Sequence, residues 1–150
     1  MAPKPQTEPS GESALTGRLG YLLKHAQLRF AGISADSLER IGVSGPQAAV
    51  LALASDGAPR SQQELALALG IDRTTMVGIL DDLEAAGLLE RRPDDNDRRR
   101  NVVALTPRGV GVLADAEAAR SDAEARFMEG LSASERDVFI ATLRRLVARP

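Results

Sequence analysis

Five arginines and three aspartates crowd the stretch RRPDDNDRRR at 91–100: Arg91, Arg92, Arg98, Arg99 and Arg100 against Asp94, Asp95 and Asp97. That leaves two net positive charges on one segment of a chain whose formal charge is −2. Guanidinium groups bind phosphate through paired N–H donors, and they suit the narrow, electronegative minor groove of A·T-rich DNA. The acids have a use beside them. An aspartate two residues before an arginine can hold the guanidinium in one direction, so Asp97 is expected to aim Arg99. A loop that only keeps an exposed hairpin soluble would look similar, so the elements around it must decide.

LLERR and RNVVALT flank the charged stretch, carry strand-forming residues and are separated by a polar loop from Pro93; they read as a two-stranded hairpin. Upstream, Ser61-Gln62-Gln63-Glu64 is a capping box that opens the helix QQELALAL, which stops at Gly70. Asp72 can cap the next helix, RTTMVGILDDLEAA, which ends at Gly87. A joint of about three residues with glycine in it marks a helix-turn-helix. A hairpin directly after it makes a winged helix.

The second helix of the pair carries Met76, Ile79, Leu80 and Leu83 on one face, which is the core side. The opposite face carries Thr74, Gly78, Asp81 and Ala85, flanked by Thr75 and Val77. A helix entering a major groove offers its first outer residues to base edges. Thr74 and Thr75 can hydrogen-bond there and meet a thymine methyl, and Gly78 lets the backbone come close. Arg73 suits a phosphate, as does the helix N-terminus. Ser61 and Gln62, at the start of the preceding helix, complete the candidate DNA contacts with Val77, Asp97, Arg98, Arg99 and Arg100. First-turn threonines are also ordinary surface residues, and Asp81 would repel phosphate.

The remaining segments must carry this unit. Residues 1–12 are polar and Pro-rich and are expected to be a disordered tail, not a secretory signal. From Ser13 the stripe Leu15, Leu19, Leu22, Ala26, Phe30 predicts a long helix, with Tyr21, His25 and Leu28 beside it. A short separate helix is expected over 35–41. Ser44-Gly45-Pro46-Gln47 caps QAAVLALAS, and Thr106-Pro107 starts a long helix to about Gly130. Ser132-Ala133-Ser134-Glu135 opens the last helix, with Val138, Phe139, Leu143, Leu146 and Val147 on one face. Leu15, Leu19, Leu22, Phe30, Phe139, Leu143 and Leu146 are more apolar surface than a small winged helix covers, so a homodimer is expected. The division is a single domain over 13–150, with dimerisation helices at 13–42 and 107–150 and the winged helix-turn-helix at 43–106.

With 43% hydrophobic and 3% aromatic residues the core must be aliphatic. The chain has no cysteine and one histidine, which removes thiol chemistry, Cys-ligated zinc and a His-rich metal site. No cofactor, metal or membrane segment is expected, and the expected compartment is the cytoplasm. Asp81, Asp82 and Glu84 share a helix, but no base or nucleophile converges on them, so enzymatic activity is not expected. A winged helix that binds only protein is the competing reading.

The segments GPQAAVLALAS at 45–55, SQQELALALGIDRTTMVGILDDLEAAGLLERR at 61–92 and DDNDRRRNVVALTPRG at 94–109 resemble the MarR family of bacterial transcription regulators, over roughly residues 13 to 148. The last segment matches that family's Asp-x-Arg wing motif at Asp97 and Arg99, running into Leu105-Thr106-x-x-Gly109. The resemblance implies a winged-helix dimer, mainly α, whose recognition helices enter major grooves of a pseudo-palindromic operator and whose wings enter the adjacent minor grooves. It implies a repressor released by a small aromatic or phenolic ligand bound between the dimerisation and DNA-binding regions, with Tyr21 and His25 as candidate contacts. Val77-Gly78 stands where many members have Thr-Arg, so the arginine–guanine contact made there is not carried over. Peroxide sensing through cysteine is excluded.

Overall fold

The computed structural model describes residues 15–148. The expected tail at 1–12 lies outside them. In chain order the elements are α1 (Leu19–Glu39), α2 (Gly45–Ala54), α3 (Gln62–Leu69), α4 (Arg73–Ala85), β1 (Leu89–Pro93), β2 (Asn101–Leu105), α5 (Pro107–Phe127) and α6 (Ala133–Val147). The separate helix expected at 35–41 is instead the end of α1. The helix runs unbroken from Leu19 to Glu39, and within it the Ser37 hydroxyl donates to the Ile33 carbonyl one turn back.

Local chemistry sets the other boundaries. Ser44, Ser61 and Ser132 each cap a helix, and Gln47, Glu64 and Glu135 reach back to complete three capping boxes. Asp72 accepts the Thr75 N–H at 2.9 Å, and Thr106 accepts the Gly109 N–H at 3.0 Å. Gly70 ends α3 in the left-handed region at φ 62°, which any side chain would strain, so the chain turns sharply into α4.

β1 and β2 pair antiparallel, Leu89 with Leu105 through Pro93 with Asn101. The Arg60 carbonyl accepts the Val103 N–H at 2.9 Å, so the segment before α3 adds a one-residue bridge to the hairpin edge. The core lies under this unit: Val50 and Leu51 of α2, Leu65 of α3, Met76, Leu80 and Leu83 of α4, and Leu89 of β1 are fully buried. Val103 and Ala116 join the same cluster from the hairpin and α5. Ile79, expected in the core, packs against it half-exposed.

The long helices are different. α1 packs along α5, and Phe30 meets Phe127 edge to face at 5.4 Å. Yet neither α1 nor α6 contains a fully buried residue. Leu19, Leu22 and Leu146 are 70%, 50% and 60% exposed. Leu15 is also exposed, while Phe30, Phe139 and Leu143 are half-buried.

The Leu-Thr-x-x-Gly segment is a joint between the wing and α5. The Thr106 hydroxyl donates to the Gly87 carbonyl at 2.7 Å, and its N–H donates to the Leu88 carbonyl at 3.1 Å. A Cβ at Gly109 would collide with that Leu88 carbonyl. Gly109→Ala is therefore expected to lower stability by roughly 1–3 kcal/mol, the range for overpacking a filled site. An unchanged urea midpoint would show that α5 is not seated on Leu88.

Candidate nucleic-acid interface

α4 exposes the residues that its sequence pattern places outward. Arg73, Thr74, Thr75 and Gly78 are exposed, Val77 is half-buried, and nothing lies within 4 Å of a Cβ built at Gly78. The two threonines are not equivalent. The Thr75 hydroxyl donates to Asp72 at 2.5 Å, and this bond, then the Thr75 N–H, draws the Asp72 carboxyl below its ordinary pKa. Thr75 is thus occupied in holding the cap, whereas the Thr74 hydroxyl has no side-chain partner among the described residues. Asp81 is not a bare charge against DNA. Arg91 of β1 meets its carboxylate at 2.6 Å and also pairs with Glu84.

The wing departs from expectation at Asp97. Its carboxylate accepts the backbone N–H of Arg99 at 3.0 Å, and its carbonyl accepts the Arg100 N–H at 2.9 Å. It therefore shapes the turn and does not grip the Arg99 guanidinium. A two-residue spacing brings the short aspartate side chain back to the nearby amide, the geometry of an Asx turn. The Arg98 and Arg99 side chains are exposed and make no ion pair or hydrogen bond among the described residues. Arg92 approaches Asp95 only at 4.0 Å.

Arg100 behaves differently. Its guanidinium donates to Asp94 at 3.1 Å, to the Pro59 carbonyl at 3.2 Å, and to Glu64 of α3. Asp94 is 5% exposed and is the buried charged residue of the described chain; its other oxygen accepts the Asn96 N–H at 2.9 Å. Glu64 has its pKa lowered to about 2, by the Ser61 N–H and hydroxyl and then by Arg100, so it stays ionised near neutrality. Sequence reasoning missed Glu64, Asp94 and Arg91 as partners. Glu64 and Arg100 stand 36 residues apart, and no local spacing announces such a pair.

Between the helix pair and the wing lies a polar hollow of about 410 Å³, lined by Ser61, Gln62, Gln63, Ala66, Arg73 and Asn101. The starts of α3, α4 and β2 meet there. Ser61, Gln62 and Arg73 share this hollow; Thr74 and Gly78 lie on the neighbouring α4 face, and Arg98 and Arg99 on the wing. The Ser61 hydroxyl is itself engaged with Glu64 at 2.8 Å.

Two apolar cavities lie on the other side. One, of about 300 Å³, runs between α1, α2 and α5 past Phe30, Ser34, Ala48, Ala52 and Arg120. The other, of about 330 Å³, lies between α1, α5 and α6 past Phe30, Gln27, Phe127, Phe139 and Leu143. Phe30 and Glu124 border both. Tyr21 and His25 line neither; their rings stack on each other with centroids 4.0 Å apart.

Residues 41–100 match the model of the MarR family. The HTH-type transcriptional repressor NicR of Pseudomonas putida is 33% identical over 134 residues, covering 89% of this chain and 84% of that protein. The transcriptional repressor CouR, solved on a 23-mer DNA duplex, superposes with a TM-score of 0.81 at 34% identity, covering 96% of this chain and all of that one. CouR of Rhodococcus jostii bound to p-coumaroyl-CoA gives 0.78 at 29% identity, over 91% and 96%. A helix-turn-helix with an arginine-bearing wing, carried on long flanking helices, matches these proteins along nearly its whole length: the chain belongs to the MarR family of transcription regulators.

Proposed function

We propose that the chain is one half of a twofold dimer that grips a single DNA duplex and releases it when a small aromatic molecule binds. The observation that carries this reading is the pairing of an unobstructed α4 face with two wing arginines that have no partner among the described residues, across a polar hollow. α4 would enter a major groove with Thr74 toward the base edges and Gly78 at closest approach. Arg98 and Arg99 would reach the adjacent minor groove, and Arg73, Ser61 and Gln62 would seat the phosphates between them. The solved CouR–DNA complex, a relative with this fold, supports the arrangement.

Leu15, Leu19 and Leu22 with Leu146 leave an exposed apolar surface on the long helices. The segments 13–42 and 107–150 would bury it against a second copy, and the binding free energies of two half-sites then add. The effector would enter the cavity that Phe30 borders between α1, α2 and α5, since it lies where the long helices meet α2 of the DNA-binding unit. CouR, a relative solved with p-coumaroyl-CoA bound, supports an aromatic effector. Tyr21 and His25, which stand outside both cavities, would act on it only through α1. The result is repression of genes near a pseudo-palindromic operator, relieved by the effector.

Selecting bound DNA from a random pool with the full chain tests this directly; a twofold-symmetric site is expected, and no enrichment would refute it. Two substitutions sharpen the test. Gly78→Ala should stabilise the free protein by about 1 kcal/mol through helix propensity yet weaken binding to the selected site, because the added methyl meets the groove; equal affinity would mean that α4 does not approach closely. Thr74→Ala should change base preference within the half-site while the salt dependence stays as it was, and an unaltered selection profile would remove Thr74 from base recognition.

For the effector, a panel of small aromatic acids and thioesters is scored by loss of duplex binding. Phe30→Ala is expected to abolish release while preserving DNA affinity. Release that survives in this variant would place the effector elsewhere.

A further inference from the structure

We propose that Arg100 is a positioning residue that locks the wing to α3, with Glu64 as its socket, and not a contact to DNA. This inference rests on the DNA-binding reading above and divides the wing's arginines into two kinds of work. Arg98 and Arg99 are exposed and unpaired among the described residues. Arg100 is held by three acceptors: Asp94, the Pro59 carbonyl and Glu64.

Two carboxylates against one guanidinium leave the cluster negative, so it has no surplus charge to offer a phosphate. Its placement is mechanical. Asp94 and Arg100 close the wing tip, where the Asp94 N–H donates to the Arg100 carbonyl at 2.8 Å. Pro59 and Glu64 belong to the opposite wall, the start of α3. A guanidinium presents several donors in a rigid fork, so it can fix the direction of everything attached to it. The bridge from Arg60 to Val103 ties the same two parts through the backbone. Arg91 does the corresponding work on α4 through Asp81 and Glu84.

Glu64→Gln separates positioning from charge. Glutamine preserves the capping box of α3 but weakens the hold on Arg100. If charge alone mattered, removing an acid beside phosphate and freeing an arginine would tighten binding. Positioning requires the reverse.

The test measures affinity for the selected duplex as salt is varied, with full-length wild type, Arg99→Ala, Arg100→Ala and Glu64→Gln. Arg99→Ala should reduce the slope of log affinity against log salt by about 0.9 for each phosphate contact it removes. Arg100→Ala and Glu64→Gln should weaken binding by about threefold to fivefold, the scale of an exposed ion pair, with the wild-type slope retained. In the free protein, amide hydrogen exchange at Asp94 and Arg99, whose N–H groups are hydrogen-bonded within the wing tip, should accelerate in both variants while α3 and α5 keep their protection. The proposal is overturned if Arg100→Ala lowers the slope as Arg99→Ala does, if Glu64→Gln binds as tightly as wild type or more so, or if exchange in the wing is unchanged. Should wild type select no duplex at all, the DNA-binding reading fails instead, and the exchange experiment still decides what Arg100 does.

Discussion

An arginine held by carboxylates of its own chain has given up most of its attraction for phosphate, and a wing needs both kinds of arginine. Rigid aim demands internal partners, while recognition demands free guanidinium groups. This chain separates the two within ten residues. Arg91 and Arg100 bind the hairpin to α4 and α3, and Arg98 and Arg99 remain exposed. Of the three acids in the charged stretch, Asp94 is a socket for Arg100, Asp97 frames the turn, and Asp95 only approaches Arg92. A net negative chain can therefore still present a positive edge where one is needed.

The same economy governs the core. Aliphatic side chains from α2, α3, α4 and the hairpin close over one another and leave the reading face outside. The aromatic residues gather at the opposite end, where Phe30, Phe127 and Phe139 line cavities between the long helices. Loose packing there is costly in a chain so poor in aromatics, because voids forfeit dispersion contacts. A ligand or a second subunit that fills such space recovers that loss, which makes the region suited to couple occupancy to the geometry of the attached winged helix.

Much of the architecture was legible because its determinants are local. Serine with Gln or Glu three residues on, proline in a first turn and glycine at a helix end each act within one turn, and the helix starts followed them. The recognition helix was legible through periodicity. The failures have physical causes as well. Residues 35–41 were expected as a separate helix, while the hydrogen bonding of α1 continues unbroken to Glu39. Asp97 was given the guanidinium of Arg99 because spacing alone does not distinguish a side chain from the backbone amide beside it. Tyr21 and His25, expected as ligand contacts, stack on each other outside the two cavities beside Phe30. Glu64 with Arg100 was invisible, since their meeting depends on the whole fold between them.

Recognition of a duplex by this chain requires the wing to reach a minor groove at a fixed distance from α4. The chain has no cysteine, so Arg98→Cys provides one attachment point for an iron chelate that cleaves the DNA backbone nearby. With this variant bound to its selected duplex, cleavage should fall at two narrow positions, related by the twofold axis and offset across the minor groove outside each half-site. Diffuse cleavage along the duplex, or a single position, would contradict it.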